Sequence, residues 1–322
     1  MKNNYIVLYY KTGSKNLAYY MYKDLAGVEG IELCSRERDS SNKYLHYFYA
    51  RLKKHINEEK IGHSTLGKVL MASEAIRKVQ FSKDKANVIF INDQGLYKYY
   101  VDLLLEIKRK YSNTVFVVQW LNAVSTVPFN CYEQMKRLNP NLILTDDPDD
   151  AEKYGWVFWM DCLSTIDDIK PGKKSDVFFA GVAKDREKKI VDAYVKLKDN
   201  GINCDFTIVG KQNNDPGISR KYLEYRELLA RDMGANCLLE IMQSGQRGYT
   251  CRAQEAIVLN KKLLTNNKWI VNSKYYNPQF IKVFEEIGDE EIAFVKKNIS
   301  VDYQYDGGFS PWKLIEYLEK TI

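Results

Sequence analysis

Short runs of β-branched and aromatic residues recur along the chain, most of them followed by a stretch whose apolar positions fall three and four apart. In the first half the runs occupy residues 5–10, 31–34, 87–93, 114–120, 141–145 and 156–159. Nearly continuous apolar runs of this length predict strands buried on both faces, as in a parallel sheet covered by helices. Between two of them, residues 97–111 set Tyr100, Val101, Leu104, Leu105 and Ile107 along one side. That is helical spacing, so the repeating unit is βαβ. Residues 167–176 have no such period and contain Pro171-Gly172, a strong turn signal. The rhythm then restarts with 177–181, a helix carrying Ile190, Val191, Tyr194 and Leu197, and further runs at 205–210, 236–241 and 262–265.

This pattern predicts an α/β protein of two Rossmann-like domains facing each other across a cleft. The first spans 1–166, the second 174–306, and a last helix over 307–322 packs back on the first. That helix reads as capped by Ser310, with Pro311 at its first position and Leu314, Ile315 and Leu318 on one face. Ligands of open parallel sheets bind at the carboxyl ends of the strands. The sites are therefore expected after Tyr10, Asp93 and Trp120 in one domain and after Gly181, Gly210, Ile241 and Thr265 in the other.

Composition narrows the classes. At 322 residues the chain exceeds the usual limit of one growing core, which agrees with two domains. Charged residues at 28% and hydrophobic residues at 45% exclude a disordered or fibrous chain. The N-terminal run lacks the features of a signal peptide and reads as a first strand. No window holds about 18 uninterrupted apolar residues, so no membrane span is predicted. The six cysteines lack paired CxxC spacing, which points to a reduced cytoplasmic protein without a zinc site. A net charge of +6, evenly spread, excludes a dedicated nucleic-acid binder. Residues 43–85 are richer in Lys and Arg than in acids and interleave Tyr44, Tyr47, Phe48 and Tyr49. They could rest on an anionic membrane at the inner face of the cell membrane, or form solvated helices with an apolar inner face.

The chemistry concentrates after the run at 236–241. There a loop with Gly245 and Gly248 leads to Thr250 and a helix-like stretch through Arg252, Glu255 and Ala256. Glycines allow close backbone approach to a phosphate, and a helix start offers N–H groups. Arg252 and Glu255, three apart, share a helix face. An Arg can clamp a diphosphate, and a carboxylate one turn on can accept from both ribose hydroxyls.

The second half resembles bacterial glycosyltransferases of capsule, lipopolysaccharide and exopolysaccharide synthesis, which have the GT-B fold. The likeness rests on Gly245-Gln246-Arg247-Gly248-Tyr249-Thr250-Cys251-Arg252-Ala253-Gln254-Glu255-Ala256 and on Asn260-Lys261-Lys262-Leu263-Leu264-Thr265-Asn266-Asn267. It extends to 178–186 and 145–155, and the first 85 residues carry little of it. The resemblance implies a metal-independent, hexosyltransferase-like enzyme moving a sugar from a nucleotide-sugar donor to a growing, lipid-linked bacterial surface glycan, with no bound cofactor. It implies that Glu255 binds the donor ribose, that Gly248 and Thr250 lie against the diphosphate, and that Lys184 or Arg186 neutralises the leaving nucleotide. Gly181, Gln246, Tyr249 and Arg252 complete the expected donor site. The family carries a second Glu eight positions before the ribose-binding one; here that position is Arg247, and Glu240 is the candidate substitute.

For the acceptor side an inverting reaction needs a base, and the candidates are Asp93 after a buried strand and His63 in the basic stretch. Asp147-Pro148-Asp149 offers an Asp-x-Asp for a divalent metal, against the reading that Asp147, Asp149 and Asp150 cap a helix. Two alternatives thus stand beside the main reading: a metal-dependent transferase using Asp147 and Asp149, and a non-catalytic subunit binding glycan or a partner.

Overall fold

The computed structural model describes residues 1–9, 16–35, 75–93, 96, 98–127, 129–210 and 217–322. His63, residues 11–15 and most of the basic stretch, 43–74, lie outside them. The chain divides into two compact units: Met1–Ser14, Ala18–Ser164 and Pro311–Ile322 form unit 1, and Lys15–Leu17 with Thr165–Ser310 form unit 2.

Unit 1 holds β1 (Asn4–Tyr9), β2 (Ile31–Ser35), β3 (Asn87–Asn92), β4 (Thr114–Trp120), β5 (Leu142–Thr145) and β6 (Val157–Phe158). They form one parallel sheet in the order β2-β1-β3-β4-β5-β6. The described helices are α1 (Leu17–Tyr22, its first residue grouped with unit 2), α2 (Lys98–Lys110), α3 (Phe129–Leu138) and α4 (Pro148–Tyr154). One face of the sheet, with Ile6, Ile89, Ile91, Phe116, Val118 and Trp120, packs on Tyr100, Val101, Leu104 and Ile107 of α2 and on Met135 and Leu138 of α3. The apolar side read from residues 97–111 is therefore the side that is covered. Helix α4 starts within the Asp-x-Asp: the Asp147 carboxylate accepts from the backbone N–H of Asp149 at 3.0 Å and of Asp150 at 3.1 Å. Pro148 follows at the first helical position, and Gly155 ends the helix in the left-handed conformation at φ 67°. Asp147 is a helix cap, with its acceptor Oδ1 committed to two backbone donors.

Unit 2 holds β7 (Ser175–Val182), β8 (Cys204–Val209), β9 (Ile218–Ser219), β10 (Ala235–Glu240), β11 (Lys262–Thr265) and β12 (Ile281–Val283), again all parallel. Its helices are α5 (Glu187–Asp199), α6 (Tyr225–Gly234), α7 (Cys251–Val258) and α8 (Asp289–Lys296). The sheet runs β12-β11-β10-β7-β8-β9. Counted from β7 this is the order 3-2-1-4-5-6, whose direction of winding reverses between β7 and β10. The edge strands β9 and β12, of two and three residues, are too short to show an apolar run. The spacer expected over 167–176 is shorter, because β7 begins at Ser175 and the stretch before it lies on α6. Gly172 N–H donates to the Ala230 carbonyl at 2.6 Å, and a Cβ on Gly234 would collide with the Lys173 carbonyl.

The last helix, α9 (Pro311–Thr321), belongs to unit 1. It buries Leu314, Ile315 and Leu318, sets Tyr317 against Trp159 with ring centres 4.7 Å apart, and accepts the backbone N–H of Lys2 on Glu319 at 3.0 Å. The two ends of the chain thus share one structural unit.

Candidate functional site

The reversal point of the unit 2 sheet gathers most of the residues singled out in the sequence. The turn after β7 carries Lys184, Asp185 and Arg186, and the loop after β10 carries Met242 to Tyr249. The two are bonded to each other. Arg186 donates through Nη1 to the Ile241 carbonyl, and Ser244 N–H donates to Asp185 at 3.1 Å. A Cβ at Gly181 would meet Arg186 Nη2 at 3.1 Å and the Phe179 ring at 3.3 Å, so the strand end is kept bare where the guanidinium crosses it. Lys184, in the left-handed region at φ 46°, and Arg247 are exposed on these joined segments. The β10–α7 loop needs glycine twice, at Gly245 (φ 79°) and Gly248 (φ 82°). Gln246 closes a turn within it, its N–H donating to Gln243 at 3.3 Å.

The Asn260 to Asn267 motif gives that loop its shape. Asn266 Oδ1 accepts from Met242 N–H at 2.7 Å, and Asn267 Nδ2 donates to the Gly248 carbonyl at 2.6 Å. One turn after β11 therefore grips both ends of the loop after β10. Glu240 faces Thr265 in the parallel register, and its carboxylate takes the hydroxyls of Thr250 and Thr265. Burial pushes Glu240 upward, while the two hydroxyls and the nearby Arg252 and Arg186 oppose the shift. Both oxygens of Glu240, the candidate substitute for the carboxylate missing at 247, hold protein hydroxyls, so the side chain anchors the loop. Lys261 and Lys262 are structural too. Lys261 donates to the Met233 carbonyl at 2.7 Å. Lys262 donates to the carbonyls of Phe294, Val295 and Lys297 at 2.9, 2.7 and 2.7 Å, closing the end of α8.

Thr250 caps α7, accepting from the N–H of Arg252 at 3.1 Å and of Ala253 at 3.4 Å. The first turn is thus already partly satisfied by its own cap. Tyr249 is buried behind the loop, edge-on to Trp269 at 5.4 Å and to Phe309 at 6.0 Å.

Arg252 and Glu255 share a helix face as expected, with partners the sequence did not reveal. The guanidinium bonds Asp232 of α6, reaches Glu255 Oε2 at 3.0 Å and the Ala180 carbonyl at 3.3 Å, and lies over the Phe178 ring at 5.4 Å. Tyr225 donates its hydroxyl to Glu255 Oε1 at 2.7 Å. Asp232 is fully buried and Glu255 is 2% exposed. Burial raises the pKa of both carboxyls against the pull of Arg252, and burial raises Tyr225 as well. Desolvation works against the Arg252 charge, but Asp232 and Glu255 outweigh it and hold the guanidinium protonated. Arg252 therefore positions Glu255, with Nη1 on the two carboxylates and Nη2 on the Ala180 carbonyl. Tyr225 and Asp232 escaped sequence reasoning because they stand more than 15 residues upstream with nothing local to mark them.

In unit 1, Asp93 is buried just after β3 and accepts from Asn122 at 3.4 Å. It belongs to a group of acids at the carboxyl ends of neighbouring strands. Asp161 accepts from Gln119 at 2.7 Å and is pushed up to about 7 by burial and by Asp93. Asp146 is raised well above the carboxylate range by burial and by Asp161, Asp147 and Asp93.

No family model matches the chain, and no curated protein does. Among solved structures it is similar to the glycotransferase of kitacinnamycin, at 7% identity over 99% of each chain with a TM-score of 0.49. It is also similar to LpCGTa in complex with UDP, at 10% identity over 98% of this chain and 99% of that one, with a TM-score of 0.43. At such values the assignment of function rests on the chain's own residues.

Proposed function

We propose that the protein is a glycosyltransferase of the GT-B kind that takes a sugar from a nucleotide-sugar donor. The observation that carries this reading is the joined pair of segments at the reversal point of the unit 2 sheet. There Lys184, Arg186 and Arg247, with one acid, Asp185, stand beside a glycine-bearing loop held open by Asn266 and Asn267. Fixed positive charge at a strand-end crevice suits a departing diphosphate, whose charge grows as the glycosidic bond breaks. Glu255, oriented by Arg252, is the ribose acceptor in this reading. The base that takes the acceptor hydroxyl proton is Asp93, beside Asp161, which burial and Asp93 push up to about 7. The acceptor we infer is a growing lipid-linked surface glycan reached from the cytoplasmic face, with residues 43–85 resting on the anionic membrane, and the transfer is metal-independent.

Calorimetry with UDP-, GDP-, CDP- and dTDP-sugars tests the reading. One of them should bind, and Glu255→Ala should weaken that binding by about 2–4 kcal/mol, the value of one or two charged hydrogen bonds. A variant that binds and turns over donor like the parent removes Glu255 from the site. Binding of none of them would favour a non-catalytic subunit.

A further inference from the structure

Beside Tyr225 a cavity of about 200 Å³ opens against the ends of β7 and β8, with Ala180, Gly181, Val182, Thr207 and Tyr222 in its wall. Its lining is mostly apolar, as in sites that take a flat organic group. Two features point to a ligand. Thr207 is 1% exposed, yet among the described residues its hydroxyl has no hydrogen-bond partner, an arrangement natural interiors seldom keep without reason. At the mouth, Tyr222 and Val182 are 68% and 47% exposed, large apolar surface beside a hollow that could cover it. Tyr225 connects this hollow to Glu255, since it lines the one and donates to the other at 2.7 Å.

We propose that Tyr225 is an exchangeable partner of Glu255, whose phenol competes with a ribose hydroxyl for one carboxylate oxygen while the nucleoside occupies the cavity and bonds Thr207. This rests on the nucleotide-sugar reading and adds to it a residue that sets the contrast between ribose and deoxyribose. The carboxylate has about four acceptor sites on its two oxygens. Arg252 occupies one on Oε2 and Tyr225 one on Oε1, and helix packing closes off most of the rest. A ribose hydroxyl gains a strong place on Glu255 by displacing the phenol. The wall then changes side: Tyr225 turns its ring edge to the nucleoside. Neither step alters a covalent bond.

The test is calorimetry on the full chain with nucleoside diphosphates carrying or lacking the 2′-hydroxyl, using the parent, Tyr225→Phe and Thr207→Val. Tyr225→Phe removes the competitor, so the ratio of ribo- to deoxy-affinity should rise roughly 3- to 10-fold, one hydrogen bond's worth. Thr207→Val keeps the shape and removes a buried hydroxyl without a partner. Its melting temperature should hold or rise while affinity for both nucleotide series falls several-fold. An unchanged or lower ratio in Tyr225→Phe, with melting near that of the parent, overturns the exchange. Unchanged affinity in Thr207→Val takes the nucleoside out of this cavity. If parent and variants alike bind no nucleoside diphosphate, the nucleotide reading itself fails, a result distinct from both.

Discussion

Replacing Arg252 by Met tests the electrostatics of the Glu255 environment most directly. In the parent one guanidinium serves two buried carboxylates, Asp232 at no exposure and Glu255 at 2%. Met has a similar reach and keeps the contact with Phe178, so lost volume is a minor part of the change. Removing one member of a buried ion pair costs about 3–5 kcal/mol, because the other charge stays behind without compensation. Here two charges stay behind, and the deficit at pH 8 should reach about 4 kcal/mol or more. The pH dependence separates charge from packing. Both carboxyls already titrate above their ordinary values in the folded protein, and loss of Arg252 raises them further. A carboxyl whose folded pKa lies above its unfolded one binds more protons when folded, so its stability contribution falls as pH rises through that window. The deficit should therefore shrink by about 1–3 kcal/mol between pH 8 and pH 5, where protonation neutralises the stranded groups. Guanidinium chloride unfolding of parent and variant at both values measures this. A deficit below about 1 kcal/mol at pH 8, or one that does not change with pH, would refute the account of a buried charge network. Adding Glu255→Gln to the variant should recover part of the loss at pH 8 and little at pH 5.

Three further outcomes follow from other contacts. Asp161→Asn should stabilise unit 1 at pH 8 by on the order of 2 kcal/mol and leave it unaffected at pH 4. The parent carboxyl, pushed up to about 7, loses stability as pH rises from its unfolded value towards 7, and thermal melts across that range would show the slope vanish in the variant. Lys262→Met leaves three carbonyls at the end of α8 without their donor and should cost about 3–5 kcal/mol in denaturant unfolding; a cost near zero would mean that water replaces the ammonium freely. Asn267→Ala removes the grip on Gly248 and the cap on the Trp269 N–H; it should weaken donor binding about 10-fold and lower the melting temperature by a few degrees, two lost hydrogen bonds setting the scale. Calorimetry and scanning fluorimetry on the same sample check both halves of that statement.

The sheets were legible in the sequence because parallel strands covered on both sides leave an unbroken apolar run, as at Thr114–Trp120, where the predicted and observed limits coincide. Ile218–Ser219 and Ile281–Val283 were not, since an edge strand of two or three residues joined on one side needs no apolar run. At the site, the pairing of Arg252 with Glu255 follows from helical spacing, and the cap at Asp147 follows from Asp-Pro at a helix start. What could not be read was direction. Spacing places Arg252 on a face without saying that Asp232, twenty residues earlier, waits beneath it. Glu240 could be seen at a strand end, but its two threonine partners come from different elements. Thr207 gives no signal at all, because an unsatisfied hydroxyl exists only once its surroundings are known.

The double hold of Asn266 and Asn267 on the loop after β10 has a thermodynamic consequence. Fixing one residue's backbone costs about 1–2 kcal/mol of conformational entropy, and a loose loop would meet that cost each time a ligand arrived. With Met242 and Gly248 already tied to the neighbouring turn, the cost falls on folding instead. Ligand association on this loop should then carry a small entropic penalty and be driven mainly by enthalpy. Cutting one tie should shift that balance towards a larger opposing entropy, even in a variant whose folded stability is hardly changed.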